Sequence, residues 1–172
     1  AFLGTCSITT GGACSIATSA LAAGSHSIVA RYAGDVNRAA STSASFTQTV
    51  AKVATATTMS ASATSLTYGT AVTFTISVSS GDGSVATGSI SLSDGAATVG
   101  TCVLASGACT ITTSSLTAGD HALVARYAGD ANRLASASDP LVASVGQAMP
   151  TVSLAVTPSP ATYGSQITLS GT

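Results

Sequence analysis

The feature that most constrains this chain is an internal repeat. The segment RYAGDVNR at 31–38 returns as RYAGDANR at 126–133, with seven of its eight residues unchanged and an offset of 95 residues. His26 and His121 are separated by the same 95 residues. A period of this length is too long for one unit of a solenoid and suits a small domain that buries its own core.

The repeat divides the 172 residues into three segments. Residues 1–50 correspond to the later part of the unit without its early strands, 52–147 to one complete unit, and 149–172 to the opening strands of a following unit. We interpret the chain as a window on a longer array. The alternative is that the ends of neighbouring copies complete each other, although together those ends are shorter than one period. The linker GQAMP at 146–150 is short, and its proline restricts the preceding residue to extended geometry, which favours a rod of domains.

Apolar residues alternate with polar ones along short runs. AVTFTISV at 71–78 places Val72, Phe74, Ile76 and Val78 on one face and hydroxyl side chains on the other. The runs GSISLSDG, TCVL, CTIT, HALVARY and LVASV continue the pattern, and a weaker first strand is predicted over Thr55–Met59. The chain contains no glutamate, which is a good helix former, so a helical protein is disfavoured. Seven or so short strands separated by turn residues predict a β-sandwich, with a barrel as the less favoured alternative.

Charge and hydropathy exclude several classes of partner. Only 6% of residues are charged and the formal net charge is −1, so the chain offers no basic surface for nucleic acid. Serine and threonine, 28 and 27 residues, supply the surface polarity instead. No run of 18 apolar residues occurs, and therefore no transmembrane helix is predicted.

The longer segments around these motifs carry a resemblance. TYGTAVTFTISV and TYGSQITLSGT lie early in the unit, GSISLSDGAATVGT follows, and SLTAGDHALVARYAGDANRLASAS is paired with ALAAGSHSIVARYAGDVNRAASTSASFTQTV. With these segments the chain resembles the bacterial Ig-like domain repeats found in tandem on secreted and surface proteins. The resemblance implies an all-β protein of tandem immunoglobulin-like β-sandwiches with a period of about 95 residues. Such arrays usually serve as a spacer, a stalk or an adhesin shaft.

Unlike the family in general, each copy here has two cysteines. If each pair closes a β-hairpin, residues 105–106 form the turn in the later copy and residues 9–11 form it in the earlier one. The one-residue difference in spacing is then absorbed in the turn. We therefore expect two disulfides, each closing a loop of roughly eight residues that adds about 2.5 kcal/mol, and hence an extracytoplasmic location. A zinc site is disfavoured, because CxxC spacing is absent and the chain has only two histidines. The expected pairs are Cys6–Cys14 and Cys102–Cys109.

Other candidate reactive groups favour structural roles. Asp120-His121 suggests part of a hydrolytic triad, but the earlier copy has Ser25-His26 and no G-x-S-x-G elbow occurs, so we expect a structural or surface histidine. A Lys–Asn isopeptide cross-link is disfavoured, because Lys52 is the one lysine and no glutamate is present. We expect no enzyme and no cofactor.

The repeated RYAGD-x-NR motif has three interpretations. Paired-carboxylate chemistry lacks its second acid, and a calcium loop lacks the closing glutamate. Asp35 and Asp130 remain weak candidates for a calcium ion at a junction between domains. The favoured interpretation is a turn, in which the Asp and Asn side chains bond to their own backbone and flanking arginines, Arg126 and Arg133, reach the Asp. The predicted turn residues are Tyr32, Gly34, Asp35, Asn37, Tyr127, Gly129, Asp130 and Asn132.

Taken together, these features predict a non-enzymatic structural protein that is extracellular or at the cell surface. Its tandem sandwiches would form a rod, as a stalk, fibre or filament, with neighbouring copies of itself as partners. Low charge and hydroxyl-rich strands leave edges open to pairing, so self-association is a second expectation. The alternative is an adhesin or carbohydrate-binding module, with a surface glycan or protein as its ligand.

Overall fold

The computed structural model describes residues 2–171, and all of the regular secondary structure in them is β-strand. Fifteen strands follow one another along the chain. They are β1 (Gly24–Ile28), β2 (Arg31–Tyr32), β3 (Ser41–Thr42), β4 (Phe46–Val50), β5 (Thr55–Ala61), β6 (Ser65–Thr67), β7 (Val72–Ser80), β8 (Ser89–Asp94), β9 (Ala97–Val103), β10 (Ala108–Thr113), β11 (Gly119–Tyr127), β12 (Ser136–Ala137), β13 (Leu141–Gly146), β14 (Leu154–Thr157) and β15 (Thr168–Gly171).

Strands β5 to β13 form a two-sheet sandwich. One sheet has the order β10-β7-β5, and the other has the order β6-β13-β11-β8-β9 with β12 paired to β11. All pairings are antiparallel except that of β6 with β13. The chain crosses between the sheets at every step from β5 to β11 except the β8-β9 hairpin, as expected of an immunoglobulin-like sandwich. The all-β sandwich predicted from the alternating runs is confirmed.

The core of this sandwich comes from the inward faces of both sheets. The face of β7 predicted to be apolar is buried, whereas Thr75, Ser77 and Ser79 point outward. Burying such a side chain contributes about 1.5–3 kcal/mol, so the period of two along β7 fixes which face turns inward. The largest fully buried side chains are Tyr127, Phe74, Ile76, Ile90, Leu92, Leu123 and Val72.

Each disulfide is present, but the hairpin geometry differs from the prediction. Ala105 and Ala108 form the closing bridge, so Ser106 and Gly107, both with positive φ, occupy the turn one position later than expected. The earlier copy shows the same shift, with Thr9 bonded to Ala13 around residues 10–12. The prediction was wrong in the later copy because it left out Gly107, which adopts the left-handed conformation without steric cost; in the earlier copy Gly12 takes this conformation in place of Gly11. The extra residue of the earlier copy does lie in its turn.

The Cys102–Cys109 disulfide joins the two sheets. Cys102 lies in β9, which ends the larger sheet, and Cys109 lies in β10, which ends the three-stranded sheet. Strand β9 pairs with β8, whereas β10 pairs with β7, so the two strands that carry the cysteines belong to different sheets. The bond therefore links the sheets along one open side of the sandwich.

Strand registers outside the sandwich repeat those within it at the 95-residue spacing. Gly24 pairs with Val50 as Gly119 pairs with Val145. The pairing of β2 with β3 likewise corresponds to that of β11 with β12. The pairing of β14 with β15 corresponds to that of β5 with β7. Apolar side chains of the flanking segments are exposed: Leu169 corresponds to the fully buried Phe74 and is 62% exposed.

Candidate functional site

The repeated motif forms the same tight turn in both copies. In the later copy the Asp130 N–H donates to the carbonyl oxygen of Arg133 (3.2 Å), and Gly129 has φ +84°. A Cβ atom on Gly129 would lie 2.8 Å from that carbonyl oxygen. Gly34 has φ +87° and would meet the carbonyl oxygen of Arg38 at the same 2.8 Å. Both the conformation and the close approach of backbone require glycine at this position.

In the earlier copy the side chains bond within the turn. Asp35 accepts from the Tyr32 hydroxyl (2.7 Å), the Asn37 N–H (2.8 Å) and Arg38 Nη1 (2.9 Å). The Tyr32 hydrogen bond, followed by those from Asn37 and Arg38, lowers the pKa of Asp35. The same bond raises the pKa of Tyr32. This is the self-contained turn that the sequence predicts.

In the complete unit the loop between β7 and β8 packs over the turn. Thr87 donates to Asp130 Oδ2 through its hydroxyl (3.1 Å) and its N–H (3.4 Å). Tyr127 then donates to the carbonyl oxygen of Thr87 (2.7 Å) instead of to the aspartate. The side chains of Asp130 and Arg133 are 13% and 12% exposed, against 39% and 73% for their counterparts in the earlier copy.

Arg133 connects this loop to the turn. Its Nη1 atom bonds to Asp130 Oδ2 at 2.8 Å, Nη2 donates to the Ser84 hydroxyl, and Nε donates to the Ser80 hydroxyl at 3.3 Å. Asp82 accepts from the hydroxyls of both serines, and these bonds lower its pKa to about 2. Three donors of the guanidinium therefore hold the loop and the turn together.

The electrostatics of the turn fit a structural role. Burial opposes the charge on Asp130, but hydrogen bonds from Asn132, Arg133 and Thr87 outweigh it, so the pKa of Asp130 is lowered. Burial, and then the nearby carboxylate, raise the pKa of Tyr127. Both carboxylate oxygens already accept hydrogen bonds. Among residues 2–171 no group of three or more His, Cys, Asp or Glu side chains is placed to hold a metal ion.

Comparison with known families decides what this sandwich is. Residues 1–51 and 59–146 match the family described as Bacterial Ig-like domain (group 3). The chain belongs to this family. No match was found among curated proteins or among solved structures. The family match ends at residue 146, so the assignment of 149–172 to a third Ig-like unit stays a prediction.

Membership of the Ig-like family suggests an extracellular or surface role, and its domains are typically non-enzymatic. Two disulfides, and no free cysteine among the described residues, fit an oxidising location. In the part of the chain that the structure describes, no helix could span a membrane.

Sequence reasoning found part of the Ig-like turn. Arg133 reaches Asp130 as expected, whereas Arg126 makes no ion pair with Asp130 among the described residues and lies in β11 with its side chain exposed. Thr87, Ser84 and Ser80 were missed, because nothing in local sequence places that loop over the turn. The Asp and Arg of the motif gave no hint that this loop would contact Asp130 and Arg133.

His121 has a structural partner that sequence reasoning also missed. Its Nδ1 atom lies 2.7 Å from Asp94 Oδ2 and its Nε2 atom 2.8 Å from the carbonyl oxygen of Thr117. The bond to Asp94, and then that to Thr117, raise the pKa of His121. The partner is Asp94 at the end of β8 and not the adjacent Asp120. The register that pairs Leu123 with Asp94 brings the two side chains together.

Proposed function

We propose that this protein is a non-enzymatic extracellular structural protein, in which tandem Ig-like sandwiches form a rod that serves as a stalk, fibre or filament. The observation that carries the proposal is the linker between β4 and β5, which has only four residues, 51–54. Val53 donates to the carbonyl oxygen of Asn132 (2.9 Å) and accepts from the N–H of Leu134 (2.9 Å). A linker this short, with its backbone bonded to the following unit, restricts how far successive units can swivel.

The disulfides support the extracellular part of the proposal. Cys102–Cys109 ties the edges of two sheets, and thiol pairs of this kind persist outside the reducing cytoplasm. Such a bond resists separation of the sheets when the rod is pulled or when proteases attack. The proposed function needs no cofactor.

Low charge supports self-association as one way in which rods assemble. With 6% charged residues, the strand edges carry few of the lysines and other charges that ordinarily oppose edge-to-edge pairing. The partners we propose are neighbouring copies of the same protein or further repeats of the same chain. A surface glycan or protein ligand is the alternative that the experiment below must separate from this one.

Electron microscopy of the native material tests the proposal. Nine-residue strands such as β7 and β11 span about 30 Å, so we expect particles whose length rises by at least about 30 Å with each added unit. Antibody labelling of intact cells should find the protein outside the cell. Round particles, or labelling only after cells are opened, would overturn the proposal. Glycan-array binding by compact particles would instead favour the binding module.

A further inference from the structure

The turn at 127–134 also contacts the residues that precede the complete unit. Lys52, in the linker, places Nζ 2.7 Å from the carbonyl oxygen of Asp130. In the earlier copy the equivalent carbonyl, on Asp35, accepts from the Arg38 N–H inside the turn (3.3 Å). The linker lysine therefore occupies an acceptor that the turn otherwise uses for itself.

A second contact comes from beside β1, the strand paired with β4. The N–H of Ala23, next to β1 in the earlier copy, donates to Oδ1 of Asn132 at 2.9 Å, across 109 positions of sequence. A linker alone limits the distance between two bodies but leaves rotation about it free. Because Gly24 pairs with Val50, Ala23 and Lys52 lie at the same end of the β1-β4 pair, so the turn holds that end of the preceding copy through two neighbouring chain segments.

The turn is rigid enough to present Asn132 in a fixed position. Its N–H donates to Asp130 Oδ1 (2.9 Å), and Arg133 anchors the same aspartate while being only 12% exposed. Preorganisation of this kind reduces the entropy that must be lost when a contact forms. The earlier copy has the same Asn, Asn37, on a turn whose Arg38 and Asp35 side chains are 73% and 39% exposed.

We propose that the turn at 127–134 is a coupling site between Ig-like units, whose partner is the preceding copy of the unit in the same chain. Asn132 binds the backbone of that copy beside its β1 strand, and Lys52 closes the linker onto the turn. Together they fix the orientation of successive units. This inference rests on the proposed rod and names the residues that make it stiff.

Residual dipolar couplings of the full chain test the coupling. In the unmodified protein, the amides of β1 and β4 and those of β7 and β11 should fit one common alignment tensor. Asn132→Ala removes the acceptor, so the two groups should require different tensors. The Ala23 amide should also exchange about three- to tenfold faster, the range expected for losing one hydrogen bond.

Three variants make the test specific. Asn37→Ala changes the equivalent position of the earlier copy's turn and should leave both readouts unchanged, whereas Asn132→Asp keeps an acceptor oxygen and should restore them. Lys52→Ala removes the linker contact without changing any residue of the turn, and it should loosen the orientation of the units. If Asn132→Ala disturbs β11, the Lys52→Ala result decides the test. Separate tensors in the unmodified chain, or no effect of Asn132→Ala and Lys52→Ala, would overturn the coupling site. An equal effect of Asn37→Ala would do so as well. Cell-surface labelling is independent of these outcomes, so failure here leaves the extracellular role to be judged separately.

Discussion

The His121–Asp94 pair makes the stability of the complete unit depend on pH. Both ring nitrogens of His121 face acceptors, Asp94 Oδ2 and the Thr117 carbonyl oxygen, and a neutral ring has only one N–H to donate. The charged ring therefore fits the site best, in keeping with its raised pKa. The charged groups nearest the ring are Asp94 on β8 and Asp120 on its own strand.

The sign follows from the direction of this shift. A histidine whose folded pKa exceeds its unfolded value, about 6.5, contributes its full stabilisation below pH 6.5. The stabilisation is lost as pH rises through the folded pKa of His121. Between the two pKa values, the free energy of unfolding should fall by at most about 1.4 kcal/mol per pH unit.

Asp94→Asn is the perturbation that tests this reasoning. Hydrogen bonds to charged groups contribute about 1.5–3 kcal/mol and neutral ones about 0.5–1.5, so replacing the carboxylate by an amide should cost about 1 kcal/mol near pH 5.5. Solvent screening keeps the figure at the low end, because the Asp94 side chain is 31% exposed. Such a loss lowers Tm by about 4–8 °C for a unit of this size. At pH 9 the native protein and the variant should differ much less.

Urea unfolding at several pH values, followed by circular dichroism, measures the effect, and an NMR titration of the His121 ring measures its pKa directly. His26→Asn is the matched control: His26 bonds the Ala22 carbonyl oxygen (2.7 Å) but the structure gives it no carboxylate partner among residues 2–171. A stability profile of Asp94→Asn that stays parallel to the native one, or a profile flattened by His26→Asn, would refute the reasoning.

Two further predictions concern the disulfide and the turn. Replacing both Cys102 and Cys109 by serine should lower the free energy of unfolding by about 2.5 kcal/mol, because the bond closes a loop in the unfolded chain. Hydrogen exchange should become faster for the amides of β9 and β10 than for those of β11. Equal acceleration in all three strands would contradict a bond that joins the sheet edges. Gly129→Ala should cost about 1–3 kcal/mol in urea unfolding, because φ is +84° and the added Cβ meets the Arg133 carbonyl oxygen at 2.8 Å. Gly119→Ala, at φ +133° with nothing within 4 Å of the added Cβ, should cost less because only conformational strain applies, and equal losses would show that the close approach does not matter.

Local pattern was sufficient for much of the fold. The alternation in β7, the run HALVARY of β11 and the Gly within the repeated turn each depend on the chemistry of neighbouring residues, and each lies where predicted. The turns between the cysteines were predicted one residue away from where they lie. The segments of β9 and β10 pair only at the isolated Ala105–Ala108 bridge, so their pairing does not fix whether residues 105–106 or 106–107 form the turn. Small preferences of this kind shift a turn without changing the fold.

Contacts between distant segments were beyond local pattern. Asp94 reaches His121 through the register of β8 on β11, and Thr87 covers Asp130 because the sandwich folds one loop over another. Cys102 and Cys109 looked like partners across one hairpin, whereas the structure places them on two sheets.

The sequence by itself determined the period, the sandwich and the pairing of cysteines, because repeats, alternation and spacing are properties of neighbouring residues. Only the tertiary structure decided what packs against the turn at 127–134. Asp130 lies in a motif whose residues already predict a turn, yet nothing in that motif shows that Thr87 would bond to its side chain or Lys52 to its carbonyl oxygen. The hydrogen bonds that reach the Asp130 side chain from Thr87 arise from packing across the sandwich, which brings together residues tens of positions apart.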